Sequence, residues 1–326
     1  MDVFDKILKE HSWKFPKGYP DINDEADKAL LFSLVEEHLL TENSEVYDST
    51  IKNALDVEEI PVTDSKYQWN SKGGSTFSIK VKEKDMDIFK KLYPVKPPKV
   101  GQEVGSAGSL GVGNGEIALY WLYNYSNSNV KVNEGGSGDD PDLFFNGVGV
   151  EVKAYNKHEG TIGLGRFGAD KENLSLLSII FGINALSKAL GDGKVDQTIN
   201  PTNFKGRELI PALEKLLDFE DIDDLDELAI KYPLFKTIKD NITKVKSSLG
   251  DFSSAEEGAI AMALLLLDSK LGRKPGNGGY LANIKTDGDI KFFAIDLEKL
   301  KGNDILLDMF KVNQSAILLK FSQLFG

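Results

Sequence analysis

The sequence predicts an α/β fold, on three observations. Apolar residues recur at helical spacing in 24–40, 114–125, 174–190 and 254–272. Apolar and polar residues alternate as strands do in 75–85, 142–153 and 279–300. Two of these alternating stretches are interrupted by Asn146-Gly147 and Asp287-Gly288, dipeptides that suit hairpin turns because they accept positive φ.

Composition bounds the rest. A chain of 326 residues is long for one small core and suits one large domain or two. Its 41% hydrophobic and 28% charged residues are ordinary for a globular protein. With no cysteine there is no disulfide, thiolate zinc site or cysteine nucleophile, so any metal must sit on oxygen or imidazole. Cysteine-free composition suits a reducing compartment, and the cytoplasm is the expected location. The acidic start, MDVFDKILKE, does not read as a secretory leader. The longest apolar runs, 174–186 and 259–267, fall short of the roughly 20 residues that span a bilayer, so no membrane is expected as a partner. The net charge of -12 opposes non-specific adhesion to a polyanion. Its distribution is uneven: seven of the ten residues in 218–227 are acidic, while lysines recur through 231–246, which leaves room for a local basic face.

Taken in order, 24–40 reads as a helix with an acidic first turn and 75–85 as a strand. Three prolines and three glycines in 93–108 mark a seam. It divides an N-terminal region, 1–103, from a domain at 104–326. The N-terminal region is expected to bind DNA, mediate dimerisation or cover an edge of the sheet. Asn114 is the expected cap of an apolar helix running to 125, and a short strand follows at 129–133. Next come a hairpin centred on Asn146-Gly147, a polar loop at 155–173 and the helix at 174–190. Residues 191–254 read as a helical insertion, followed by the helix at 254–272 and the second hairpin. No solenoid repeat is present.

The first hairpin carries the chemistry. Counting outward from a two-residue turn pairs Phe145 with Val148, Phe144 with Gly149, Leu143 with Val150 and Asp142 with Glu151. Alternation then turns Leu143, Phe145, Val148, Val150 and Val152 to one face and Asp142, Phe144, Gly149, Glu151 and Lys153 to the other. Opposed carboxylates repel unless they are protonated, hydrogen-bonded or bridged by a cation, and a hard divalent ion with oxygen ligands would remove the conflict. Lys153 projects to the same side, where it would hold a water or a phosphoryl oxygen.

Pro141-Asp142, eight intervening residues and then Glu151-Val152-Lys153 resemble the motif of the PD-(D/E)XK nuclease superfamily, the restriction-endonuclease-like fold. The match covers about 15 residues. The resemblance implies a core of mixed sheet flanked by helices, with a mainly helical N-terminal region and the helical insertion added to it. It implies Mg²⁺-dependent hydrolysis of DNA, with Mn²⁺ able to substitute. Asp142, Glu151 and the Val152 carbonyl would bind the ion, Lys153 would orient or activate water, and Glu116, in the preceding helix, would assist the metal or the water. DNA is the implied partner, and a homodimer would let two such sites cut both strands.

Other readings stand beside this one. Lys157, His158 and Arg166 lie where they would reach phosphates or simply meet solvent. The glycine-rich 105–116 lacks a full nucleotide-binding pattern and reads as an approach to the Glu116 helix. A non-catalytic nucleic-acid-binding or assembly protein that keeps the nuclease fold is the alternative, favoured if Glu116 points away from the pair and Glu151 is buried against Lys153. A glycosidase-like use of paired carboxylates is opposed by Lys153, which would depress the pKa of a proton-donating Glu151.

Overall fold

The computed structural model describes residues 8–96, 114–126, 132–134, 141–154, 161–166, 171–189, 200–272 and 276–320, apart from positions 10, 22, 64, 70–74, 221, 223 and 277. The chain is a mixed α/β protein in which helices flank a mixed sheet.

Helix α1, Glu25–Leu55, starts where the Asp24 carboxylate accepts hydrogen bonds from the Ala26 and Asp27 amides. This satisfies two of the orphan donors at a helix N-terminus. It continues well past residue 40, ending at Asp56 in the left-handed conformation. Strand β1, Phe77–Lys80, and the short helix α2, Met86–Leu92, complete the N-terminal region. Helix α3, Glu116–Asn124, is capped by Gly115 rather than by Asn114. Gly115 has φ of 90°, and a Cβ there would lie 3.3 Å from the Ile284 side chain, so glycine suits both the turn and the packing. Strands β2, Val132–Glu134, β3, Leu143–Phe145, and β4, Val148–Ala154, follow.

The expected loop at 155–173 holds a strand, β5, Thr161–Arg166, and the first turn of helix α4, Lys171–Ala189. Gly163 and Gly165 take positions where alternating side chains would have signalled that strand. Within the expected insertion lie β6, Asn203–Lys205, and helices α5, Leu209–Glu220, α6, Leu225–Lys231, and α7, Pro233–Leu249. Helix α8, Ala255–Leu267, is capped by the Ser254 hydroxyl, which accepts from the Glu257 amide. The second hairpin is β7, Tyr280–Ile284, and β8, Asp289–Ala294. Four residues, Lys285 to Gly288, lie between its strands, with Gly288 at φ of 81° donating to the Lys285 carbonyl, rather than a two-residue turn. Helix α9, Ile305–Met309, and strands β9, Phe310–Asn313, and β10, Ala316–Lys320, close the described chain.

Six strands form one sheet in the order β1-β8-β7-β4-β3-β2, in which β4 and β7 run parallel and all other neighbours antiparallel. The other four form an antiparallel sheet, β5-β10-β9-β6, which the sequence reading did not anticipate. One face of the larger sheet packs Leu143, Phe145, Val150 and Val152 against α1, α2 and α3. From its other face, Leu281 and Phe293 join a second core built from α4, α5, α7, α8 and the smaller sheet. Residues on both sides of 103 thus share the first core. β1 pairs with β8 and covers that sheet edge, while Phe89 and Leu92 of α2 pack in the same cluster as Trp121. Among the described residues no helix is long and apolar enough to cross a membrane.

Candidate functional site

The hairpin forms in the register counted from its sequence. Asn146 and Gly147 have φ of 52° and 79°, as a type I′ turn requires, and Leu143, Phe144 and Phe145 pair with Val150, Gly149 and Val148. Leu143, Phe145, Val150 and Val152 are buried, and at about 1.5–3 kcal/mol for each such side chain they fix which face points inward. Glu151 and Lys153 are thereby committed to the opposite face.

The ladder stops one pair short of Asp142 and Glu151. By continuation of the register Pro141 would face Val152, and proline has no N–H with which to complete that pair. The Val152 amide, the donor on the other side of that pair, goes to the Asp142 carboxylate, whose Oδ2 accepts from it at 2.7 Å. The same missing N–H leaves the Val152 carbonyl without a donor from Pro141, which suits the ligand role expected of it.

Glu151 is 2% exposed, and Lys153 Nζ donates to its Oε1 at 2.5 Å. Burial works to lower the Lys153 pKa, but Glu151, Asp142 and Glu116 outweigh it and hold the ammonium above its ordinary value. Lys153 is therefore a firm cation here and not a proton acceptor.

Glu116 opens α3, where a carboxylate also suits the helix dipole. It is buried, and the Tyr47 hydroxyl of α1 donates to its Oε1. Its Oε2 is buried with no hydrogen-bond partner among the described residues. Burial first, then repulsion by Asp142 and Glu151, pushes the Glu116 pKa up to about 8, against the opposing pull of Tyr47 and Lys153. Glu116 therefore stands in the field of both hairpin carboxylates.

The donors agree in kind with a hard divalent cation: three carboxylates, two of which, Glu116 and Glu151, have a buried second oxygen. They are not drawn together as a ligand set, because among the described residues no three His, Asp or Glu side chains converge closely enough to hold an ion. Asp142 is turned to the Val152 amide, Glu151 to Lys153 and Glu116 to Tyr47.

Two residues of this neighbourhood escaped the sequence reading. Tyr47 lies 69 positions before the carboxylate it touches, on the part of α1 beyond the helix expected at 24–40. Asn283, opposite Lys153 on β7, sits in a strand with no motif of its own. Arg166 is exposed on β5, and Lys157 and His158 lie outside the described residues. Comparison of the chain with protein-family models, curated proteins and solved structures finds no match.

Proposed function

We propose that this chain is a divalent-metal-dependent DNA endonuclease of the PD-(D/E)XK type. The observation that carries the reading is that Glu116, on a helix outside the motif, stands as a third carboxylate in the electrostatic field of Asp142, Glu151 and Lys153. The order of elements also supports a restriction-endonuclease-like core. The helix α3 precedes the antiparallel run β2-β3-β4, and the helix α8 precedes β7, which joins β4 in parallel.

Mg²⁺, or Mn²⁺ in its place, would be held by Asp142, Glu151, the Val152 carbonyl and Glu116. Once bound, such an ion lowers the pKa of a water and offsets charge building on a phosphate. The chain's own contribution is positional. Asp142 anchors the end of β3 to β4, the buried apolar face of the hairpin holds Glu151 in place, and Lys153 offers N–H donors to a water or phosphoryl oxygen. Lys153, held protonated by its neighbours, acts in this scheme as an orienting cation.

The test is cleavage of supercoiled plasmid and of linear, branched and single-stranded DNA with Mg²⁺ or Mn²⁺. Wild type is compared with Asp142→Ala and Lys153→Ala. Metal-dependent cutting that both substitutions abolish is the expected result. A non-catalytic nucleic-acid-binding or assembly protein with the same fold is the second reading, favoured by the pairing of buried Glu151 with half-buried Lys153 and, for the assembly role, by the net charge of -12. No cutting by any form, together with no detectable metal binding, would select it.

A further inference from the structure

In the nuclease reading, a cation and Lys153 compete for the same oxygen. Lys153 Nζ already occupies Glu151 Oε1 at 2.5 Å, so a divalent ion can use that carboxylate fully only if the ammonium leaves. A half-buried ammonium that leaves a carboxylate is held in the site only by another acceptor.

The adjacent strand supplies one. β4 and β7 run parallel, with Lys153 in register with Asn283. The pairs on either side of it, Val152 with Ala282 and Ala154 with Ile284, face the α3 core, so Lys153 and Asn283 share the opposite face. Neighbouring strands lie about 4.8 Å apart, well within the reach of a lysine stem. Asn283 Oδ1 is buried and accepts no hydrogen bond among the described residues. Orphaned buried acceptors are rare because each forfeits its hydration without replacement. Among the described residues, Lys291 on β8 is the other ammonium in register with Asn283, and its Nζ lies over the Phe293 ring at 4.7 Å.

We propose that Asn283 is the positioning residue that receives Lys153 when a divalent cation takes Glu151. The proposal rests on the nuclease reading and adds a residue that the motif does not contain. Asn283 keeps the displaced ammonium beside the ion, where its remaining N–H groups face water or a phosphoryl oxygen. No covalent bond changes in this handover.

Mn²⁺ binding to the full chain without DNA, followed by water-proton relaxation, tests it. Asn283→Leu is expected to bind Mn²⁺ about tenfold more weakly than wild type, since Lys153 then stays on Glu151. Asn283→Asp keeps an acceptor and restores binding. In a Lys153→Met background, Asn283→Leu leaves the affinity unchanged because no ammonium has to move. A merely structural role for Asn283 would carry its loss into that background and overturn the proposal. Equal affinity of wild type and Asn283→Leu overturns it while the metal site stands. Weakening by Lys291→Met in place of Asn283→Leu assigns the acceptor to Lys291 and also overturns it. Absence of Mn²⁺ binding by wild type overturns both the handover and the metal site. Should Asn283→Leu fail to fold, the wild-type side-chain amide resonances of Asn283 decide the matter. They shift as Mg²⁺ saturates the chain if the handover occurs, and stay fixed if it does not.

Discussion

Glu116 carries an electrostatic cost that the free chain lacks. Its folded pKa, about 8, is above the ordinary 4.5, so the folded state holds its proton over a range where the unfolded state has released it. The stability contributed by this group is therefore full below about pH 4.5 and declines as the pH rises through about 8. Glu116→Gln removes the charge and keeps an acceptor for Tyr47. In chelator-treated protein it is expected to melt above wild type at pH 8, by an amount on the order of a few kcal/mol, and near wild type at pH 5. Thermal unfolding at both pH values checks this, and a gain of the same size at both would remove the electrostatic account. Tyr47→Phe acts in the other direction: it withdraws a hydrogen bond that favours ionised Glu116, at a cost of about 1–3 kcal/mol that is larger at pH 8 than at pH 5.

At the scale of elements, the hairpin turn and the helix caps are separable supports. Gly147→Ala forces a Cβ into φ of 79° and is expected to cost about 1–2 kcal/mol, read as a lower melting temperature. Asp24→Ala removes the cap of α1 at a cost of about 1 kcal/mol. If the α1 end near Tyr47 is rigid, that second loss leaves the Glu116 effect at pH 8 unchanged. The same contrast explains what was legible in the sequence. The hairpin could be read because turn chemistry and period-2 alternation are local, and so its register, faces and buried apolar side followed by counting. The end of its ladder could not, because Asp142 takes the Val152 amide only once Pro141 has broken the pairing. β5 was hidden by Gly163 and Gly165, and the four-stranded sheet by the distance between its strands in the chain. Tyr47 and Asn283 meet the motif through tertiary packing alone, and no spacing rule encodes that.

At the scale of the whole molecule, the N-terminal region and the domain after it share one hydrophobic core on the α3 side of the sheet. A chain beginning at residue 104 loses β1 from the β8 edge and Tyr47, Ile51, Phe89 and Leu92 from the core. It is expected to lack a cooperative thermal transition, and a sharp melt of that fragment would show that the first core closes without them. The parallel contact between β4 and β7 has its own consequence for synthesis. The motif is complete once Lys153 has been translated, yet β4 has no strand on its β7 side until Tyr280–Ile284 has been made, with α4 to α8 in between. A ribosome that stalls within that interval releases a chain with all four candidate catalytic side chains and an open edge beside them. Pairings this distant in sequence form slowly, so assembly of the site should trail synthesis of its residues. On the nuclease reading, an unfinished chain would then be inert towards DNA.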